Sequence, residues 1–280
     1  DPVLIVATYT GSTQTGYGHS ASYDNLGNIY TAGIFFNTGY PVTTGAYQIP
    51  FGGGGQDMGI SKLNPDGSNL IWATYLGGNN SDYPQSMFIN NTEELYVFGT
   101  SSSTDYPTST NSFQSNIGGE FSSDHVITHL TSDGSNIIGS TYIGGTADEN
   151  LIGEIIVDDM GNCYVASGTY STDYPTSASA FQTTWNGPGA TWGGTGIVFK
   201  MPSDLSSITW STYLNSETTA QARGLSFGAN NSIYITGIAA EGFSTMANGA
   251  NTTNLGGEDA FICQLNENGS TLLASTYYGT

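Results

Sequence analysis

The tetrad ATYT at 7–10 returns as ATYL (73–76), STYI (140–143), STYL (211–214) and STYY (275–278), which spaces Tyr9, Tyr75, Tyr142, Tyr213 and Tyr277 by 64–71 residues. Two further series keep the same period. One is IYTAG (29–33), LYVFG (95–99), CYVASG (163–168) and IYITG (233–237). The other is DMGISKLN (57–64), DHVITHLT (124–131), TGIVFKMP (195–202) and DAFICQLN (259–266). Three series with one period make the chain a repeat array, and such units bury their apolar faces by stacking on their neighbours.

Each period reads as four short strands. The DAFICQLN type alternates, with Phe261, Cys263 and Leu265 on one face. Asp/Asn-Gly turns such as PDGSN (65–69) and SDGSN (132–136) follow, which are hairpin signals. The LIWATYL type (70–76) comes next, then HSASYD (19–24) and its equivalents, a turn (NLGN 25–28, NTEE 91–94, DMGN 159–162 or ANNS 229–232), and the LYVFGTS type (95–101). Four antiparallel strands per unit predict an all-β fold, a β-propeller of about four 67-residue blades, either a closed ring or a segment of a larger propeller. A solenoid or stacked sandwich is the rival. Blades of this kind take ~40–50 residues, so an insertion of roughly 20 follows the LYVFG strand, as in 100–124. We read residues 1–280 as one domain, with repeats at about 1–56, 57–123, 124–194 and 195–258 and a partial repeat at 259–280. Because 3–10 and 271–278 are the same strand type, one of them is redundant, which offers an exposed strand for self-association.

Charge narrows the partners. Twenty-three acids stand against Lys62, Lys200 and Arg223, a net charge of −20. Nucleic-acid binding needs a basic surface, so it is excluded, and docking on anionic lipid is disfavoured. No apolar run approaches the ~18 residues of a membrane-spanning helix, so no direct membrane insertion is expected. The chain opens Asp1-Pro2 with no basic, apolar leader, as a mature or excised chain would. A surface solubilised by Ser, Thr, Asn and acid suits an extracellular protein. Cys163 and Cys263 read as small buried strand residues; a disulfide would need their Cα atoms within ~7 Å.

The repeat text KLNPDGSNLIWATYLGG (62–78), VDDMGNCYVASG (157–168) and STDYPTSASAFQ (171–182) resembles the SBBP family of β-propeller repeats. The likeness covers nearly the whole chain. It implies a large secreted or surface-anchored bacterial protein, like those that gliding bacteria export by the type IX route. Departures are visible. AEGFSTMANGAN (240–251) replaces the DYPTSASAFQ loop, NTEE replaces the usual Gly-Asn turn, and TTWNGPGATWGG (183–194) enlarges the third loop.

Sites of chemistry are sparse. His125 and His129 share a strand face ~13 Å apart, too far to chelate one ion together, and read as partly exposed. No nucleophile elbow, zinc or phosphate-loop motif is present. Asp82 and Asp148 follow Gly-Gly, and Asp105 and Asp173 precede Tyr-Pro; these loops carry the oxygen donors calcium takes, although Asp in turns more commonly bonds its own backbone. No other cofactor is implied. The insertion-loop aromatics Tyr40, Tyr106 and Tyr174, and above all Trp185 and Trp192 of the enlarged loop, are the candidates for ligand stacking. Residues in register also suit pinning of each loop to its own blade.

The expected function is a non-enzymatic extracellular module for display and adhesion, binding glycan or another surface protein through its loops, with no catalytic residue. One alternative is a carbohydrate-active enzyme domain, a glycoside hydrolase or lyase, with acids in the central funnel. Another is a structural spacer or filament subunit.

Overall fold

The computed structural model describes residues 12–13, 15–120, 122–149, 152–185 and 194–279. The candidate extra strand 3–10 and Trp192 lie outside them. The described residues form sixteen strands in four antiparallel four-stranded sheets, consistent with a four-bladed β-propeller. The first sheet holds β1 (Gly16–Tyr23), β2 (Ile29–Phe35), β3 (Asp57–Leu63) and β4 (Leu70–Leu76). The second holds β5 (Asp82–Ile89), β6 (Leu95–Ser101), β7 (Asp124–Leu130) and β8 (Ile137–Ile143). The third holds β9 (Glu154–Val157), β10 (Cys163–Thr169), β11 (Thr195–Met201) and β12 (Trp210–Leu214). The fourth holds β13 (Ala220–Phe227), β14 (Ile233–Ala239), β15 (Asp259–Leu265) and β16 (Leu272–Tyr278). Strands are ordered in each sheet as in the chain. A sheet therefore begins at the HSASYD-type strand and borrows its last two strands from the text that opens the next period.

The chain divides into two compact units. One comprises the described residues of 1–117, 125–142 and 203–205; the other those of 118–124, 143–202 and 206–280. In the first unit Tyr30, Ile60 and Trp72 of the first sheet pack with Met87, Leu95, Val97, Val126 and Leu130 of the second. Full burial of each such aliphatic or aromatic side chain contributes about 1.5–3 kcal/mol. In the second unit β13 covers β9, β10 and β11. Strands β3, β7 and β11 are buried at every position, so both faces of these sheets are covered.

The insertion loops have a structural task. Each runs beside the last strand of its own sheet and bonds its backbone at two points. Thr43 N–H donates to Ala73 O and Tyr75 N–H to Gln48 O; the same pair of bonds recurs as Ser109 to Ser140 and Tyr142 to Gln114, Ser177 to Ser211 and Tyr213 to Gln182, and Met246 to Ser275 and Tyr277 to Asn251. The loop thereby pairs an edge strand that would otherwise offer free N–H and C=O groups. The repeated tyrosine anchors it. Tyr75 Oη accepts from Tyr40 N–H and donates to Asn37 O, and Tyr277 Oη accepts from Phe243 N–H and donates to Ala240 O. Cys163 and Cys263 are buried free thiols, and burial pushes Cys163 up to about 12.

His125 and His129 share a face as the spacing predicts, but both are buried rather than partly exposed. His125 packs on Phe98 and His129 stacks on Tyr96, with centroids 3.8 Å apart. Burial pulls His125 down to about 3, which keeps its ring neutral, and burial also lowers His129.

Candidate functional site

The loop tyrosines do not form a binding surface. Tyr40, Tyr106 and Tyr174 are buried. Their N–H-anchored loops turn the rings inward: Tyr40 lies on Phe35 with centroids 4.2 Å apart, and Tyr106 Oη bonds Thr128 Oγ1 at 2.9 Å. A ring that fills the core cannot also stack on a sugar. Trp185 is half-buried against Tyr213, centroids 6.3 Å apart.

The four aspartates brace loops, Asp82 and Asp105 at one and the same linker. Asp105 Oδ1 accepts from Asn79 N–H, Asp148 Oδ1 from Ser123 N–H, and Asp173 Oδ1 from Thr146 N–H and Oγ1–H. Asp82 accepts from Gly78 N–H, Ser103 Oγ–H and Ser101 Oγ–H. Among the described residues no three His, Cys, Asp or Glu side chains come together as a metal-binding group.

Two buried carboxylate pairs were missed in the sequence. Asp57 and Asp82 meet in the first unit, Asp124 and Glu149 in the second, each pair beneath a Gly-Gly linker. A Cβ on Gly77 would lie 2.7 Å from Asp57 Oδ1 and 2.8 Å from Asp82 Oδ2, and one on Gly144 would lie 2.6 Å from Asp124 Oδ1. These glycines are required by close approach. Where the third sheet has Asn215-Ser216 in place of Gly-Gly, Thr195 stands in place of the aspartate, and its hydroxyl bonds Asn215. Burial, reinforced by the neighbouring acids, raises Asp57 to about 7 and Asp82 to about 6. Burial and the Asp124 charge raise Glu149 to about 9 despite hydrogen bonds from Ser171 and Thr169. With no exposure, these acids cannot meet a substrate.

The open site is at the opposite ends of the strands, in the second unit. A cleft of about 580 Å³ is lined by Lys200, Thr209 and Trp210 of the third sheet and by Asn230, Ser232, Gln264, Asn266, Glu267, Asn268 and Leu273 of the fourth. It exists because the fourth sheet departs from the others. The penultimate residue of the third strand is Lys62, His129, Lys200 or Gln264. The first three lie over a buried tyrosine: Lys62 over Tyr30 at 5.0 Å, His129 on Tyr96, Lys200 over Tyr164 at 4.6 Å. Gln264 instead donates to Ser232 Oγ, and its cross-strand partner Tyr234 is 38% exposed.

The turn between the first two strands of each sheet changes too. In the second sheet, Glu93 bonds Lys62 at 2.9 Å and Glu94 bonds His129 at 3.2 Å. The corresponding residues of the fourth sheet are Asn231 and Ser232, on a turn that contains a short 3-10 segment, Ala229–Asn231. Two carboxylates and an imidazole are replaced by neutral, shorter groups, and the space opens. Trp210 forms the floor, its Nε1–H donating to Glu267 O, just as Trp72 donates to Ser132 O in the first unit. ANNS was legible as a departure in the sequence, but its consequence depends on which strand the turn faces.

No family model matches the chain, and no curated protein matches it. Among solved structures it is similar to a polysaccharide lyase of family PL25, an ulvan lyase bound to an oligosaccharide of glucuronate and sulfated rhamnose, at 11% identity and a TM-score of 0.45. The similarity covers 92% of this chain and 56% of that one, so the chain spans just over half of its neighbour's length. That neighbour is an enzyme acting on a glycan. The expectation of a non-enzymatic module for display and adhesion finds no counterpart in this neighbour, whose name is that of a carbohydrate-active enzyme. A likeness this distant supplies no residue role or substrate; the residues of the cleft itself must carry the functional reading.

Proposed function

We propose that this chain is a carbohydrate-active domain that seats a glycan in the cleft between its third and fourth sheets. The observation that supports it is the lining: four amide side chains (Asn230, Gln264, Asn266 and Asn268) with Ser232 and Thr209 around an apolar floor of Trp210 and Leu273. Amides present donors and acceptors together, which suits sugar hydroxyls, and a few polar groups on an apolar base is the usual make-up of a ligand site. Glu267 is exposed in the cleft and is the carboxylate there that can move a proton; the buried acid pairs take no part.

The test uses the full chain with a panel of neutral and acidic polysaccharides. Binding is followed by calorimetry and cleavage by reducing-end release, with absorbance of unsaturated uronate separating elimination from hydrolysis. Expected is binding that Asn266→Ala and Asn268→Ala weaken, with turnover that Glu267→Gln abolishes. A folded chain that neither binds nor cleaves any member refutes the proposal.

A further inference from the structure

We infer that the glycan carries a carboxylate, a uronic acid unit, and that Lys200 receives it. This rests on the glycan reading of the cleft and adds the charge of the substrate. The protein contains its own reference for what Lys200 lacks. In the first unit Lys62 Nζ is held by two carboxylates: Asp24 of its own sheet at 3.2 Å and Glu93 from the turn of the next sheet at 2.9 Å. In the second unit Lys200 occupies the same register, over the same tyrosine face, with the equivalent own-sheet acid Asp158 at 3.6 Å. The second acid is the one replaced. Glu93 and Asn231 are the fourth residues of matching five-residue turns, with φ 63° and 56°. The turn thus keeps its five-residue length and loses its charge, and the Asn231 amide reaches Glu267 Oε1 instead, at 3.5 Å.

An ammonium has three donor hydrogens and no acceptor. Lys200 is largely buried, its side chain only 9% exposed, and what remains faces the cleft. A carboxylate entering from the cleft would complete the arrangement seen at Lys62, which shows that this repeat tolerates two acids on one lysine. The amides of Asn230, Gln264 and Asn266 are left for the hydroxyls. The chain's net charge of −20 and the exposed Glu267 oppose a densely charged polyanion, so isolated uronates within a mainly neutral glycan fit best.

The experiment compares a glucuronate-containing tetrasaccharide with its carboxyl-reduced counterpart by calorimetry. Wild type is expected to bind the acidic form about tenfold tighter or more, the scale of one charge-assisted bond. Lys200→Gln should level the two. Asn231→Glu should supply the missing acid from within. It is expected to weaken the acidic ligand at least about tenfold while raising the melting temperature, a combination that misfolding cannot produce. Equal affinity for both sugars overturns the inference and leaves the glycan reading standing, as does an unaltered acidic affinity in Asn231→Glu. If neither sugar binds while an acidic peptide does, and Asn231→Glu expels it, the glycan reading falls with the inference.

Discussion

Replacing Glu149 by Gln should make the protein more stable in mild alkali and leave it nearly unchanged in acid. Glu149 is fully buried beside Asp124, with Oε1 accepting from Thr169 Oγ1–H. Its folded-state pKa is about 9 against an ordinary 4.5, so the native state keeps a proton that the unfolded chain releases between those values. A carboxylate raised in this way contributes stability at low pH that is lost as pH climbs through the window. At about 1.4 kcal/mol per pH unit, the loss by pH 8 reaches roughly 5 kcal/mol if Glu149 alone holds the proton, and about 2–3 kcal/mol if Asp124 shares it. Gln is isosteric, keeps the Thr169 bond and has no proton to lose. Urea unfolding of both proteins at pH 5, 6.5 and 8 should show curves that separate progressively, with the variant ahead by about 2–5 kcal/mol at pH 8. The difference between the two is the right readout, because His125 and His129, both lowered by burial, push wild-type stability the other way below pH 6.5. A constant offset across this range would refute the shared-proton account of the pair.

Three further outcomes rest on the same geometry. Asp57→Asn should give a similar but smaller gain above pH 7, since burial beside Asp82 raises Asp57 less far; chemical denaturation at pH 5 and 8 checks it. Gly144→Ala should cost about 2–4 kcal/mol, because its methyl would press on the Asp124 carboxylate, and thermal melts will show this. Tyr277→Phe removes an acceptor for Phe243 N–H and a donor to Ala240 O, both buried, and should cost about 1–3 kcal/mol and speed hydrogen exchange at Phe243.

The fold was legible because its signals are local and repeat. Asp/Asn-Gly turns and alternating strands fix the hairpins, and five occurrences of one tetrad fix the period. The grouping into sheets was not, since the text has no mark for where one sheet ends; the linker at Gly77-Gly78 looks no different from a turn until Asp57 and Asp82 are seen under it. The loop tyrosines misled for a related reason. Tyr40, Tyr106 and Tyr174 sit in long polar loops, yet hydrogen bonding of those loops to an outer strand turns their rings into the core. The cleft was the least visible, because it is made by subtraction. Asn231, Ser232 and Gln264 are ordinary residues whose importance lies in not being Glu93, Glu94 and His129, and that comparison needs the register of two packed sheets.

The loops that run along each outermost strand also bear on how such a chain survives at high concentration. Sheet proteins often guard their borders with lysine, and this one has only Lys62 and Lys200, both turned inward to acids. The roughly twenty extra residues in each period substitute for that charge, since a strand already paired by its own loop has no ladder left to offer a stranger. Trimming those loops to the length of a compact blade would unpair the outer strands, remove core rings such as Tyr40 and Tyr106, and make the protein prone to fibrous aggregation.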